Sequence, residues 1–333
     1  MQGTNADQQP IERVPTGTRR PLWSVMIPAY NCAQYLRETL ASVLVQDPGA
    51  DRMQIEVVDD CSSDDPRAVI NEVDPGRVKY YRQSQNVGTV RNFNTCLERS
   101  RGYLVHILHG DDAVRDGFYR VMEQPFDTYP QVGAAFCRYI SMDAEGNWET
   151  IGELEPDGRG ILDAWLERIA LGQRLQTPCM VVRRSVYEQL GGFDPRLTHC
   201  EDWEMWTRIA ASFPVAYEPD PLALYRVHST SSSDRSLSIG ENVVDLRRAI
   251  AINHERLAPD RADEITSRAL EITAVTGIRR AGRMLRAGDP AAARAQVKEA
   301  LRTSRSPAVL ERLAFFFALW LRQEVSRFGR RSP

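Results

Sequence analysis

No apolar run in this chain of 333 residues is long enough to cross a bilayer, so no transmembrane helix is expected. The beginning of the chain is polar and lacks an apolar core segment, so no secretory signal is read there. Lysine is nearly missing: only Lys79 and Lys298 occur, and arginine carries the rest of the positive charge. That skew is read as codon usage before ligand binding. The net charge is −3, too small to pull the whole molecule to nucleic acid or to an acidic surface. The six cysteines are scattered and none forms a C-x-x-C pair, which leaves neither a zinc site nor a disulfide framework. Reduced thiols in a cytoplasmic protein account for them. G-x-G-x-x-G after the first strand is missing, which weakens a dinucleotide-binding reading; G-x-x-x-x-G-K-[ST] is missing too, which excludes a P-loop. No G-x-S-x-G nucleophile elbow occurs.

What is present is an apolar share of 42%, enough for a substantial core, in a pattern that alternates. Trp23–Ile27, Ile55–Val58 and Val78–Tyr81 have strand character, and so does the run from Tyr103 to His109. Between them, residues 33–46, a segment ending at Val73 and Thr89–Ser100 have helical spacing. Strand–helix alternation of this kind predicts an α/β fold with a doubly wound, mostly parallel sheet and helices on both faces. Further strands are expected over 132–140, 178–182 and 215–225, and helices over 161–171, 185–190 and 201–211. Beyond Leu237 only helices are expected, broken at Gly288-Asp289-Pro290 and at Ser306-Pro307. The predicted organisation is a disordered leader over 1–20, an α/β domain over 21–235 and a helical C-terminal region over 236–333. The α/β domain divides into a nucleotide-binding half, 21–115, and an acceptor half, 116–235.

The central stretch is Tyr103–Val114, where an apolar strand stops at Gly110 and gives way to Asp111 and Asp112. In open α/β sheets ligands sit beyond the carboxyl ends of the strands. Two adjacent acids at such an edge repel each other, and a hard divalent cation carrying a phosphate would relieve that repulsion. A solvated turn is the plain alternative. Asp59-Asp60 ends the second strand in the same way, and Glu201-Asp202 opens a helix. In a parallel sheet Pro28–Asn31, Asp60 and Asp112 converge on one crevice. Asp59 is read as a turn cap, and His106 as a packed, hydrogen-bonded histidine inside the sheet.

Val25-Met-Ile-Pro-Ala-Tyr-Asn31, Val57-Val-Asp-Asp-Cys-Ser-Ser-Asp64, Asn86-Val-Gly88 with Arg91-Asn92, Leu108-His-Gly-Asp-Asp112 and Glu201-Asp-Trp203 occur in that order. Together, over roughly Pro21–Ser233, they resemble the family 2 glycosyltransferases of the GT-A fold. The resemblance implies metal-dependent transfer of a sugar from a nucleoside-diphosphate sugar to an acceptor hydroxyl, with inversion. It implies surface polysaccharide or glycolipid synthesis, with a saccharide or lipid-linked acceptor. Position by position it assigns Pro28 and Tyr30 to the base, Asp60 to base or ribose, and Arg91 and Asp111 to the nucleotide. Asp112 becomes the direct ligand of Mn²⁺ or Mg²⁺, joined by His228, and Asp202 becomes the general base. Glu201, Trp203 and His199 are assigned to the acceptor, with core packing as the other reading of Trp203. Two departures stand out: His109 replaces the acid usual two places before Asp111, and Cys61 replaces the glycine usual after the second strand's acids.

Two rival readings are a sugar-nucleotide nucleotidyltransferase and a silent nucleotide-sugar-binding protein. The former wants a Gly-rich, basic loop after the first strand, which Pro28–Asn31 does not supply. In the tail, residues 309–331 set apolar Leu313–Leu321 among arginines. That composition suits peripheral contact with the inner face of a membrane, a helix packed on its own domain, or a homodimer contact.

Overall fold

The computed structural model describes residues 9–228 and 240–329 and turns the alternating pattern into one ten-stranded sheet. Trp23–Ala29 (β1) is buried at every position, as expected of a central strand covered on both faces. Met53–Asp59 (β2) pairs with it in parallel, and Lys79–Arg82 (β3) pairs in parallel with β2. Leu104–Ile107 (β4) pairs in parallel with the other edge of β1. The helices between them are Ala33–Leu44 (α1), Pro66–Val73 (α2) and Thr89–Arg99 (α3). From β1 the chain steps outward to β2 and β3, then crosses back to β4. With right-handed crossovers this puts α3 on the face opposite α1 and α2. It also creates a switch point between β1 and β4, where an α/β sheet opens a crevice at its carboxyl edge.

Beyond β4 come the short strand Ala113–Val114 (β5), the helix Phe118–Thr128 (α4) and the strand Ala134–Met142 (β6). Trp148–Ile151 (β7) pairs with β6, and Gly160–Ile161 (β8) pairs with Val215–Arg226 (β10). Met180–Arg183 (β9) runs antiparallel between β4 and β6 and joins the two halves. In β10 the register against β6 shifts around Pro221, because proline has no N–H to give to a ladder. The remaining helices before residue 228 are Trp165–Ala170 (α5), Arg184–Leu190 (α6) and Glu201–Ala210 (α7). The helix α4 was not foreseen: Gly117 starts it in a left-handed conformation and Pro125 lies inside it.

Residues up to Trp165, with Gln173–Val227, make one compact unit; Leu166–Gly172 and the chain from His228 onward make a second. The expected boundary at 235/236 falls among residues outside those described. The second unit holds Glu241–His254 (α8), Pro259–Arg286 (α9), Pro290–Thr303 (α10) and Pro307–Gly329 (α11). Both expected breaks are helix starts, with a proline as first residue and, at α10, Asp289 accepting the Ala292 N–H. Residues 9–20 depart from the expected disordered leader. Ile11 is buried, the Gly192 N–H donates to the Gln9 carbonyl at 2.9 Å, and Arg184 Nη2 donates to the Glu12 carbonyl at 3.0 Å. One apolar side chain and a few main-chain bonds suffice to lay this polar segment down.

His106 is packed inside the sheet, as its place in an apolar strand suggested. Its Nε2 faces the Pro178 carbonyl at 3.0 Å and its Nδ1 faces the Tyr119 hydroxyl at 3.3 Å, with Phe118 stacked on the ring. Nε2–H therefore donates to the carbonyl, and in the neutral ring Nδ1 accepts from the Tyr119 hydroxyl. Burial lowers its pKa from 6.5 to about 4. Between those two values the unfolded chain takes up a proton that the native state refuses. His106 should therefore remove roughly 3 kcal/mol of stability as pH falls through that window. Denaturant melts of the wild type and of His106→Gln across this range should diverge in slope. The comparison isolates His106 from Asp112, whose opposite shift acts in the same window. Parallel curves would rule the effect out.

Candidate active site

The loops that leave β1, β2 and β4 are tied together through the end of β1. The Asp60 N–H donates to the Ala29 carbonyl at 2.8 Å, and the Gly110 N–H donates to the Pro28 carbonyl at 3.0 Å. Gly110 is needed for this approach: a Cβ there would lie 2.7 Å from the Cys32 sulfur. Asn31 accepts the Ser63 N–H at 2.7 Å and donates its own N–H to Ser62 Oγ at 3.0 Å. Asp64 accepts the Ala33 N–H at 2.7 Å, at the start of α1 where the helix dipole favours an anion.

The paired acids of β2 divide their work. Asp59 is fully buried, and its carboxylate accepts from Ser62, Tyr80 and Arg82, so it is an anchor as expected. The Asp60 carboxylate accepts the Val87 and Gly88 N–H groups at 2.7 and 2.9 Å. It thereby sets the loop that starts α3. Each of its oxygens keeps a second lone pair for a hydroxyl. Arg91 follows on the first turn of α3 and is exposed, as is Tyr30 beyond β1.

After β4, donor atoms of His109, Asp111 and Asp112 lie within 4.8 Å of one another. Asp112 is buried, and its Oδ1 accepts the Arg226 main-chain N–H at 2.8 Å. Its Oδ2 faces His109 Nδ1 at 3.4 Å, an ion-pair contact too long for a good hydrogen bond. Asp112 Oδ2 and His109 Nε2 otherwise have no hydrogen-bond partner among the described residues. Buried polar atoms left without partners are costly, and a cation would satisfy the carboxylate oxygen. Carboxylate oxygens with an imidazole nitrogen suit Mn²⁺, and the carboxylates alone suit Mg²⁺. The residues present thus fit a divalent ion.

Burial, which disfavours the charged form, is the largest influence on both partners. It pushes Asp112 up to about 6, and the charge on Asp111 adds to that rise. On His109 burial acts downward, but the hydrogen-bonding influence and charge of Asp112, then Asp111 and Asp202, overcome it and hold the imidazole at about 9. His109 also stacks on Phe93, with ring centroids 5.2 Å apart. It was read from sequence only as a departure from an acidic pattern. Its neighbours here make it a member of the site.

Asp202 sits in the first turn of α7, nearly buried. Gln173 Nε2 donates to its Oδ2 at 2.6 Å, Thr177 Oγ1 donates to the same atom at 3.1 Å, and the Trp203 N–H donates to Oδ1 at 2.7 Å. Burial raises its pKa against those hydrogen bonds. Its charge, after those of Asp112 and Asp111, is felt by the His109 imidazole. Glu201 is buried next to it and His199 is half-buried. Trp203 has no exposed surface, so its indole supports α7 from the core, and the acceptor reading of it loses its physical basis. His228 is half-buried, two residues beyond the end of β10.

Arg226, which sequence reading passed over, is the largest omission. Its guanidinium donates to the carbonyls of Asp111, Asp143 and Ala144, pairs with Glu38, and lies 4.7 Å from the Tyr35 ring centroid. Gln173 and Thr177 were missed as well, since nothing in their local sequence points to a partner so far along the chain.

Cys61 has φ +60, in the left-handed region where a Cβ costs about 1 kcal/mol or more. That explains why glycine is the usual residue there. Cys61→Gly is expected to leave stability unchanged or raise it by up to about 1 kcal/mol, while Cys61→Ala brings no such gain. Urea unfolding of both variants decides this, and a clear loss of stability in Cys61→Gly would refute it.

A family model for glycosyl transferase family 2 matches residues 24–191. MT1568 of Mycobacterium tuberculosis (strain CDC 1551 / Oshkosh) is 29% identical over 242 residues, 69% of this chain and 75% of that protein. The crystal structure of Staphylococcus aureus TarS 1-349 in complex with UDP-GlcNAc superposes with a TM-score of 0.62 at 16% identity, over 84% of this chain and 91% of that one. Against a longer TarS chain the match covers 75% of this chain and 43% of that one. The mannosyltransferase PcManGT of Pyrobaculum calidifontis, solved with GDP-Man and Mn²⁺, superposes with a TM-score of 0.57 at 21% identity, over 94% of this chain and 84% of that one. At these identities the solved structures speak for the GT-A fold, and the family model speaks for the chemistry. With its residues from Ser24 to Gly191 matched, half of its length, the chain belongs to glycosyl transferase family 2 and is a glycosyltransferase.

Proposed function

We propose that the protein transfers a sugar from a nucleoside-diphosphate sugar to an acceptor hydroxyl with inversion at the anomeric carbon, and that the transfer depends on a divalent metal. The observation that supports this reading is the His109–Asp111–Asp112 cluster after β4, with the orphaned Asp112 Oδ2 in it and an imidazole that also feels the charge of Asp202.

A sugar hydroxyl attacks well only as its proton leaves, and Asp202 accepts that proton. Its raised pKa brings it closer to the working pH, and Gln173 and Thr177 hold its carboxylate in one orientation. Pro28, Tyr30, Asp60 and Arg91 take the nucleoside on the other side of the switch point. An Mn²⁺ or Mg²⁺ ion held by Asp112 and Asp111, with His109 beside them, would supply positive charge against the departing diphosphate. His228 as a further ligand rests on the sequence resemblance alone. Glu201 and His199 orient the acceptor, a saccharide or lipid-linked hydroxyl in surface polysaccharide or glycolipid assembly. The reaction runs in the cytoplasm, at the inner face of the membrane. The two solved relatives carry different nucleotides, UDP-GlcNAc and GDP-Man, so they assign no base.

Asp202→Asn should lower transfer by about 10²- to 10⁴-fold, in line with loss of a general base. Its donor-induced rise in melting temperature should match that of the wild type. An unchanged rate would remove Asp202 from catalysis. A silent binding protein would show the same donor shift with no turnover in either form.

A thermal-shift panel of UDP, GDP, TDP and CMP with Mn²⁺ or with chelator addresses the donor and the metal together. One diphosphate should raise the melting temperature, more so with Mn²⁺, and Asp112→Asn should abolish the metal-dependent part. No shift with any nucleotide would overturn the proposal.

A further inference from the structure

The helical unit carries a charge that the rest of the chain does not. Residues 272–333 hold thirteen arginines and lysines against four acids, a net of +9 in a chain whose total is −3. On α10, Arg294 and Lys298 are exposed one helical turn apart, hence neighbours on one face. Among the described residues neither has an acid within ion-pair distance. The nearby Glu299 is already paired with Arg247 and Arg302. Two neighbouring cations left this way call for an anion.

Between α9, α10 and α11 lies a cavity of about 290 Å³. Leu285, Val297, Phe316 and Trp320 wall it, and Arg294 and Lys298 share its lining. Beside it α11 exposes Leu310, Phe317 and Leu321 at 51%, 43% and 60%, spaced seven and four residues apart along one face. Single exposed apolar side chains are ordinary, but a line of them next to an apolar cavity needs a cover. No helix among the described residues is long and apolar enough to cross a membrane.

Charge decides what covers it. A second copy would set one strongly basic face against another. A nucleic acid would meet the cations but has nothing to fill an apolar cavity. An anionic bilayer offers phosphates and acyl chains at one boundary, which is the depth an amphipathic helix occupies.

We propose that α10 and α11 form a docking site for the anionic membrane surface. The cavity receives an acyl chain of an anionic phospholipid, and Arg294 and Lys298 meet its phosphate. Phe317 and Leu321 enter the headgroup–acyl boundary. This is independent of the donor chemistry and stands or falls separately from it.

The test uses the full chain with phosphatidylcholine vesicles, with and without phosphatidylglycerol. The wild type should sediment with the anionic vesicles only. Arg294→Glu combined with Lys298→Glu should weaken this at least tenfold, and so should Phe317→Ser, with melting temperatures unchanged in each. Lipids brominated on the acyl chain should quench tryptophan emission, and the quenching should be lost in Trp320→Phe. Equal binding to neutral vesicles, or wild-type binding by the charge variant, would overturn the proposal. Binding indifferent to Phe317, with no Trp320 quenching, would reduce the site to plain electrostatics and overturn the acyl-chain pocket. Sedimentation velocity that shows a dimer broken by these variants, without vesicle binding, would replace the membrane with a second copy.

Discussion

The hydrogen bond from the Arg226 main-chain N–H to the Asp112 carboxylate joins the end of the last strand to the turn after the fourth. Much of the site follows from it. One oxygen of Asp112 is thereby committed, and the other faces the imidazole of His109. The guanidinium of Arg226 then gathers the carbonyls of Asp111, Asp143 and Ala144 from two separate places in the chain. A buried arginine requires several acceptors to offset the loss of water, and here they are the main chain of the site itself. The same interactions that satisfy Arg226 therefore fix where the carboxylates stand.

Electrostatic conflict is built into this arrangement. Asp111, Asp112 and Asp202 act on one histidine, and burial raises the pKa of the last two acids. Such a cluster is costly for an isolated fold and useful for one that holds a cation and a diphosphate. The loops around β1 show the opposite economy. Asp59, Asp60 and Asp64 accept from N–H and O–H donors of neighbouring turns, which ties the loops after β1 and β2 together.

Much of the architecture was legible because its signals are local. Apolar runs marked β1, β2 and β4, helical spacing marked α1 and α3, and proline marked the starts of α10 and α11. The helix α4 escaped because a left-handed glycine starts it and Pro125 sits inside it, both of which usually signal a loop. The strand β7 escaped because it is exposed along its length, so burial left no alternating pattern to find. Residues 9–20 look like a tail by composition, yet Ile11 finds a buried place. Trp203 drew attention for standing beside two acids, but its size placed it in the core.

The amino-acid sequence alone determined the strand–helix alternation, the acidic ends of β2 and β4 and the acid at the start of α7. Each depends on residues close along the chain, where periodicity and turn chemistry act directly. Only the tertiary structure decided that His109 belongs with the acids, that Arg226 braces them, and that Gln173 and Thr177 orient Asp202. Those pairings join residues from 3 to 115 positions apart. Even the shortest of them depends on which way a buried side chain turns, and packing alone settles that.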